Sequence, residues 1–384
     1  MRLLHTGDWH LGRTLHGAGL TEDQAHVLDQ LVGLARQERP HAVLVAGDVY
    51  DRGVPPAEAI ELLDEVVCRL VLDVGAPVVM IAGNHDSPER LAFGCRLLGE
   101  RGLHILGQPE REPTAVVLHD EHGPVHLYPV PYADPAQVRR RQGRQDLQGH
   151  QEALQYLLDG IRQRHPAGRR CTAVAHCFVA GLAECESERP LCVGGVGTVG
   201  AETFRGFDYV ALGHLHRPQR CAGGRIRYSG SLMRYSFMEA DHEKGVLLVE
   251  MDAAGRCQVR SVPLVPRRQV RCLQGTLAGV LEGAAHDPAR EDYLMVTLLD
   301  DGPVFDAMGK LRQVYPNVLH IDRPALRLGA DGEGPRLDHR RTGDLELFSA
   351  FYEQVTGEAP DAARQAVFAG IAEQVRRQER EAEA

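Results

Sequence analysis

Five apolar runs in this chain end on side chains that bind metal ions, and a glycine separates four of the five from those side chains. Leu3–Thr6 leads through Gly7 to Asp8 and His10, and Ala42–Ala46 leads through Gly47 to Asp48. Val78–Ala82 leads through Gly83 to Asn84, His85 and Asp86. Cys171–Ala175 meets His176 directly, and Asp208–Leu212 leads through Gly213 to His214 and His216. Each run has the length of a buried strand, and glycine permits a tight exit. Taken singly, Asp8 or Asp48 reads as a turn cap, and D-x-H occurs by chance in many chains. Together Asp8, His10, Asp48, Asn84, His176, His214 and His216, at successive strand ends, read as a ligand set for two metal ions.

Helical periodicity fills the gaps between the early runs. Val27, Leu28, Leu31, Val32 and Leu34 share one face over Thr21–Arg39, with Thr21 as N-cap and Pro40 as the stop. Ile60, Leu62, Leu63, Val66, Val67 and Leu70 do the same over Pro56–Asp73, and a further helix is expected over Pro88–Arg101. Such alternation predicts an α/β fold with a parallel core and ligands at the carboxyl ends of strands. Strands Ala115–Leu118 and Val125–Pro129 follow with a turn between them, then a helix over Gln151–Arg164 and the strands ending at His176 and His214. Tyr228, Gly245–Met251 and Gln258–Val265 are expected to complete a second sheet, and Val193–Gly200 is a Gly-rich loop. Beyond Pro266 the ligand pattern stops; Tyr293–Leu298, Val304–Val314 and Asn317–Ile321 predict a small β-α-β unit, and Gly329–Gly343 reads as a linker.

The segments TGDWHLGRT (Thr6–Thr14), GDVYDRGVPP (Gly47–Pro56), GNHD, His176 and GHLH resemble the calcineurin-like metallophosphoesterase superfamily. Within it, YSGSLMRYSF (Tyr228–Phe237), LRQVYPNVLH (Leu311–His320) and LELFSAFYEQVTG (Leu345–Gly357) resemble the SbcD family of bacterial nuclease subunits, which work with the ATPase SbcC. The resemblance implies a two-sheet sandwich flanked by helices over residues 1–265 and a small α+β capping, DNA-binding domain over 266–328. A linker over 329–343 and C-terminal helices for partner docking over 344–384 complete it. It implies a homodimer with 3′→5′ exonuclease action on double-stranded DNA ends and endonuclease action on single strands and hairpins, serving DNA repair. By the same resemblance Asp8, His10 and His216 hold one metal, Asn84, His176 and His214 hold the other, and Asp48 bridges. His85 is then the catalytic side chain beside the metals, protonating the departing 3′ oxygen or stabilising phosphorane-like charge. Asp51 resembles the carboxylate that orients this histidine in related phosphoesterases; archaeal and eukaryotic relatives carry histidine there, which leaves the partner of His85 open.

Phosphodiester hydrolysis needs an activated water, neutralised charge and a protonated leaving oxygen, and two cations about 3.5–4 Å apart supply the first two. Mixed carboxylate, amide and imidazole donors suit two Mn2+, with Mg2+ or Fe2+ as substitutes. No G-x-x-x-x-G-K-[ST] segment exists, so no ATP is bound through a P-loop and ATP dependence would enter through the partner. The rival reading is a metallophosphoesterase acting on phosphoproteins or small phosphoesters, because GDVYDRG is close to the GDxVDRG of protein serine/threonine phosphatases. Those enzymes carry GNHE where this chain has GNHD, and they lack its C-terminal segments.

A net charge of −10 argues against a uniformly basic DNA-coating surface but leaves room for a local groove. Arg139, Arg140, Arg141 and Arg144 form a basic cluster, either a DNA-backbone patch or a solvated helix face. Nine cysteines without a C-x-x-C pair fit reduced thiols, and neither a leader nor a membrane span is visible, so a cytoplasmic protein is expected. At the C-terminus, Leu345, Phe348, Phe351, Tyr352 and Val355 recur at helical spacing. Asp361 caps a second helix carrying Val367, Phe368, Ile371 and Val375. Helices this short are marginal alone, and the resemblance implies that they dock on the SbcC coiled coil near its ATPase head.

Overall fold

Unbroken apolar runs require cover on both faces of a strand, and the runs beneath the candidate ligands have it. In the computed structural model, which describes residues 1–188, 197–302, 304–324 and 344–382, Leu3–Thr6, Ala42–Val45 and Val78–Ile81 are buried throughout. They belong to strands Arg2–Thr6 (β1), Ala42–Val45 (β2) and Val78–Ile81 (β3), which run parallel beside Leu103–Leu106 (β4). The second sheet contains Val116–Asp120 (β5), Gly123–Val130 (β6), Arg170–His176 (β7), Tyr209–Gly213 (β8), Gln219–Cys221 (β9) and Ile226–Tyr228 (β10), in the order β9-β10-β8-β7-β6-β5. Its strands β6, β7, β8 and β10 are parallel.

One expectation is corrected. Gly245–Met251 (β11) and Cys257–Pro263 (β12) join the first sheet, giving the order β12-β11-β1-β2-β3-β4. β11 runs antiparallel to β1, from Arg2 opposite Glu250 to His5 opposite Leu247. Without it β1 would present an open row of N–H and C=O groups beside the site, the edge that proteins avoid. The period-2 alternation of strands then sorts two cores. Leu3, Leu44, Ile81, Val174, Tyr209, Ala211 and Val249 meet between the sheets. Ala173, Ala175, Val210 and Leu212 face the other way, onto Leu154, Leu158 and Ile161 of the helix His150–Arg164.

Local signals explain the smaller differences. The first helix spans Thr21–Glu38, so Leu20 rather than Thr21 occupies the N-cap, without a side-chain bond. The helix expected over Pro88–Arg101 is two short ones, Pro88–Leu91 and Cys95–Gly99, broken at Gly94, whose φ of 72° leaves the helical region. The Gly-rich loop is described only from Gly197 onward, and the linker Gly329–Gly343 lies outside the described residues.

The chain divides into two units, Met1–Val270 and Arg271–Ala384. Around the second, Val270–Gly275 (β13), Tyr293–Leu298 (β14) and Val318–Asp322 (β15) form a sheet in that order, with β14 and β15 parallel. The helix between them is Ala307–Arg312, shorter than expected because Asp306 caps it by accepting from Gly309 N. A helix missed by the periodicity, Leu277–Gly283, is capped by Thr276 and packs Leu277 and Val280 with Leu294, Val296 and Leu311. The last two helices are Asp344–Thr356 and Ala362–Ala382, and the Phe348 and Phe368 rings stack between them with centroids 4.2 Å apart. Among the described residues no helix is long and apolar enough to cross a membrane.

A buried ion pair pins the far end of the second sheet. Arg170 grips Asp120 through Nη2–Oδ1 at 2.5 Å and Nη1–Oδ2 at 2.9 Å, with both side chains at most 6% exposed. The guanidinium holds the Asp120 carboxyl well below its usual range. A depressed native pKa means stability that is present above the unfolded value of about 3.9 and is lost as pH falls toward the native one. Asp120→Asn is expected to cost about 3 kcal/mol at pH 7, the lower end for breaking a buried pair. Denaturant melts of the two proteins should converge as the pH drops below about 4; a gap independent of pH would remove the ion pair as the cause.

Candidate metal centre

Sharp turns after the strands aim the side chains. Asp8, His10, Asp48 and His214 all have positive φ, of 51°, 45°, 48° and 106°, a strained state for residues with a Cβ. Neighbouring glycines make room for these turns. A Cβ on Gly83 would run into the backbone and carboxylate of Asp48, and one on Gly213 would strike the Ala46 carbonyl and crowd His176.

The turns bring all seven predicted ligand residues together. His10 and His216 face each other with Nε2 atoms 3.0 Å apart. Asp48 sits centrally: Oδ1 accepts from the His85 amide at 2.9 Å, while Oδ2 lies 3.6 Å from His10 Nε2 and 3.5 Å from His176 Nε2. Asn84 Oδ1 lies 2.8 Å from His176 Nε2 and 3.2 Å from His214 Nδ1. Two buried trios could each grip an ion, Asp8–His10–His216 and Asp48–His176–His214. Asp8 Oδ1 accepts from His214 N at 2.8 Å, and its Oδ2 is buried without a hydrogen-bond partner.

Electrostatics favour a cation here. Burial pushes the His216 imidazole down to about 3 and also lowers His10, His176 and His214, so their lone pairs are free at neutral pH. Burial and the charge of Asp48 raise Asp8. Burial acts upward on Asp48 too, but the imidazoles of His176, His10 and His85 hold it below the usual carboxylate range. Neutral imidazole nitrogens converging around a buried carboxylate oxygen without a hydrogen-bond partner offer a ready set of lone pairs to a cation. The donor set fits divalent metal ions.

His85 stands beside this cluster, with Nε2 3.9 Å from Asp48 Oδ2. Its partner, open from the sequence, is the main-chain oxygen of Asp51, 2.8 Å from Nδ1. The Asp51 carboxylate turns elsewhere, 3.4 Å from His10 Nδ1 and 3.1 Å from Arg13. Arg13 also donates to the Ser187 carbonyl and lies over the Tyr235 ring. In the arginine cluster, Arg139 donates to Leu147 O and Arg144 pairs with Asp146, while Arg140 and Arg141 are exposed on the helix Pro135–Gln142.

Several site residues escape sequence reasoning. Asp86 accepts from the amides of Val49, Tyr50 and Gly83 at 2.8–3.1 Å and so ties the turn after β2 to the turn after β3. Its place in GNHD was the available signal. Gln24 donates to the carbonyls of Trp9 and His10, and Tyr235 donates to Trp9 O. Ser187, Glu188, Glu239 and Lys244 surround His216; the rarity of lysine in this chain was the only hint.

Comparison with known proteins agrees with this geometry. The calcineurin-like phosphoesterase family profile matches residues 1–218, and that of the type 5 capsule protein repressor C-terminal domain matches residues 266–356. The D subunit of the nuclease SbcCD from Staphylococcus saprophyticus is 33% identical over 358 residues, covering 93% of this chain and 94% of the relative. Solved structures with partial likeness include a dimetal phosphatase from Danio rerio, at 14% identity over 69% of this chain and 97% of that one, with a TM-score of 0.43. Another is a calcineurin-like phosphoesterase from Bacillus subtilis, at 14% identity over 68% and 88%, with a TM-score of 0.38. By profile and by full-length relative alike, the chain belongs to the calcineurin-like phosphoesterases and, among them, to the SbcD family of nuclease subunits.

Proposed function

We propose that the chain is a manganese-dependent DNA nuclease, a 3′→5′ exonuclease on duplex ends and an endonuclease on single strands and hairpins. The observation that carries this reading is the convergence of two buried trios on Asp48 with His85 alongside. Asp8, His10 and His216 would hold one ion, Asn84, His176 and His214 the other, and Asp48 both. Two divalent cations, when bound, neutralise phosphate charge and activate a water. The chain supplies the rest. The Asp51 carbonyl fixes the His85 ring through Nδ1, which leaves Nε2 facing the cluster, able to hold a proton for the departing 3′ oxygen.

Partnership with SbcC and ATP is supported by the full-length likeness to a component of the SbcCD nuclease. Leu345, Phe351, Val367 and Ile371, exposed on the last two helices, fit docking on the SbcC coiled coil. A homodimer is supported by Val54, Ile60, Phe93 and Leu97, all exposed in the first unit. Residues 266–328 would act as the DNA-binding cap, and the cysteine usage fits the cytoplasm.

End-labelled duplex, a phosphopeptide and bis-nitrophenyl phosphate, each offered with manganese, magnesium or chelator, test the reading. Chelation should abolish DNA cleavage, and manganese should restore it better than magnesium; SbcC with ATP should extend it along duplex. Full activity after exhaustive chelation would sink the two-metal reading, and turnover of the phosphopeptide alone would favour a phosphatase.

A further inference from the structure

His216 is held differently from His176. His176 leans on a main-chain oxygen, its Nδ1 2.9 Å from Ala46 O. His216 Nδ1 lies 2.6 Å from the Ser187 hydroxyl, and that hydroxyl donates onward to the Glu239 carboxylate. The other Glu239 oxygen takes the Lys244 ammonium, which also donates to His216 O at 2.7 Å and to Ser231 Oγ at 2.9 Å. Glu188 accepts from the His216 amide at 2.6 Å. Glu239 and Lys244 are at most 4% exposed, and a buried pair of this kind contributes little to folding compared with apolar residues of the same size. Its place behind one imidazole calls for another role.

We propose that Glu239, acting through Ser187, is the positioning residue that fixes the His216 ring and thereby sets the affinity of the Asp8–His10–His216 position for its ion. The assignment rests on the two-cation reading above. With Nδ1–H donated to Ser187 and the serine O–H donated to Glu239, the Nε2 lone pair is the one left for the ion, and the backing carboxylate makes that nitrogen a stronger donor. Lys244 keeps Glu239 charged in its buried place and holds the His216 main chain at the same time.

Ser187→Ala and Glu239→Gln test this on the full chain, with manganese titrated by calorimetry and followed by electron paramagnetic resonance. Ser187→Ala leaves the Glu239–Lys244 pair intact, so its metal-free melting temperature should match the wild type. Both variants should lose about 10–100-fold in affinity at one of two positions. With two equivalents of manganese they should show the spectrum of an isolated ion where the wild type shows a coupled pair. Wild-type constants for both ions in both variants would overturn the assignment, as would a lowered metal-free melting temperature in Ser187→Ala with unchanged affinity. A wild-type chain that binds no manganese would overturn the two-cation reading itself.

Discussion

His85→Leu is expected to lower DNA hydrolysis by about 10²–10⁴-fold, the range for removing a positioned proton-transfer group, while both manganese ions stay bound. The imidazole adds two things to the site, an Nδ1–H held by the Asp51 carbonyl and an Nε2 near Asp48. Neither belongs to the two fully buried trios, although the ring also forms a half-buried trio with His10 and Asp51. The His85 amide, which Asp48 Oδ1 accepts, is retained in the variant, so the central carboxylate keeps its main-chain support. Leucine approximates the ring's volume and leaves no cavity of consequence. Single-turnover cleavage rates with metal content by mass spectrometry decide the matter. Loss of an ion in this variant alone would make His85 a ligand rather than a proton donor.

Asp48→Ala should produce the opposite pattern: folded protein without either ion. Asp48 Oδ2 lies close to histidine rings of both trios, His10 at 3.6 Å and His176 at 3.5 Å. Removing the carboxylate also takes away a buried acceptor of the His85 amide, so the metal-free melting temperature of each protein is the reference against which the ion is judged. The difference emerges on adding manganese. An ion bound only to the native state at 100 times its dissociation constant stabilises by about 2.7 kcal/mol, which raises the wild-type melting temperature and leaves the variant unmoved. A manganese-induced rise in Asp48→Ala equal to that of the wild type would remove Asp48 from the bridging position.

The candidate ligand ends are readable from sequence because the same pattern recurs after five buried strands, whereas a single apolar run stopping at a glycine and an aspartate would read as a capped turn. Asp8 and His214 lie far apart in the chain yet share a hydrogen bond, a closeness that follows once both strands are parallel members of facing sheets. Sheet membership is harder. Gly245–Met251 has the apolar pattern of a strand in either sheet, and only the need to cover the exposed edge of β1 decides between them. The residues that steady the site are hidden for another reason. Ser187 lies in a turn and Glu239 at the end of the short 3-10 helix Phe237–Glu239, neither long enough to show a period, and their chemistry depends on burial that only tertiary packing creates. The turn Ala92–Gly94 shows the limit at short range: periodicity carries one helix across it, but the first stops at Leu91 and a second starts after left-handed Gly94.

The candidate ligands come from both sheets, and each trio takes members from each: Asp8, His10 and Asp48 follow strands of the first, His176, His214 and His216 strands of the second. Between the sheets lie mainly apolar side chains, with His5 reaching across to Tyr209 and Leu212 O as a buried polar link. Apolar contact resists separation but only weakly resists sliding, because it has no direction. Ions gripped from both sides would supply that direction, acting as removable rivets at one rim of the sandwich and closing very long chain loops when they bind. Such ions would thus reinforce the registry that the Asp8–His214 and His176–Ala46 hydrogen bonds already give that rim, tightening the alignment of the two sheets where the candidate ligands meet.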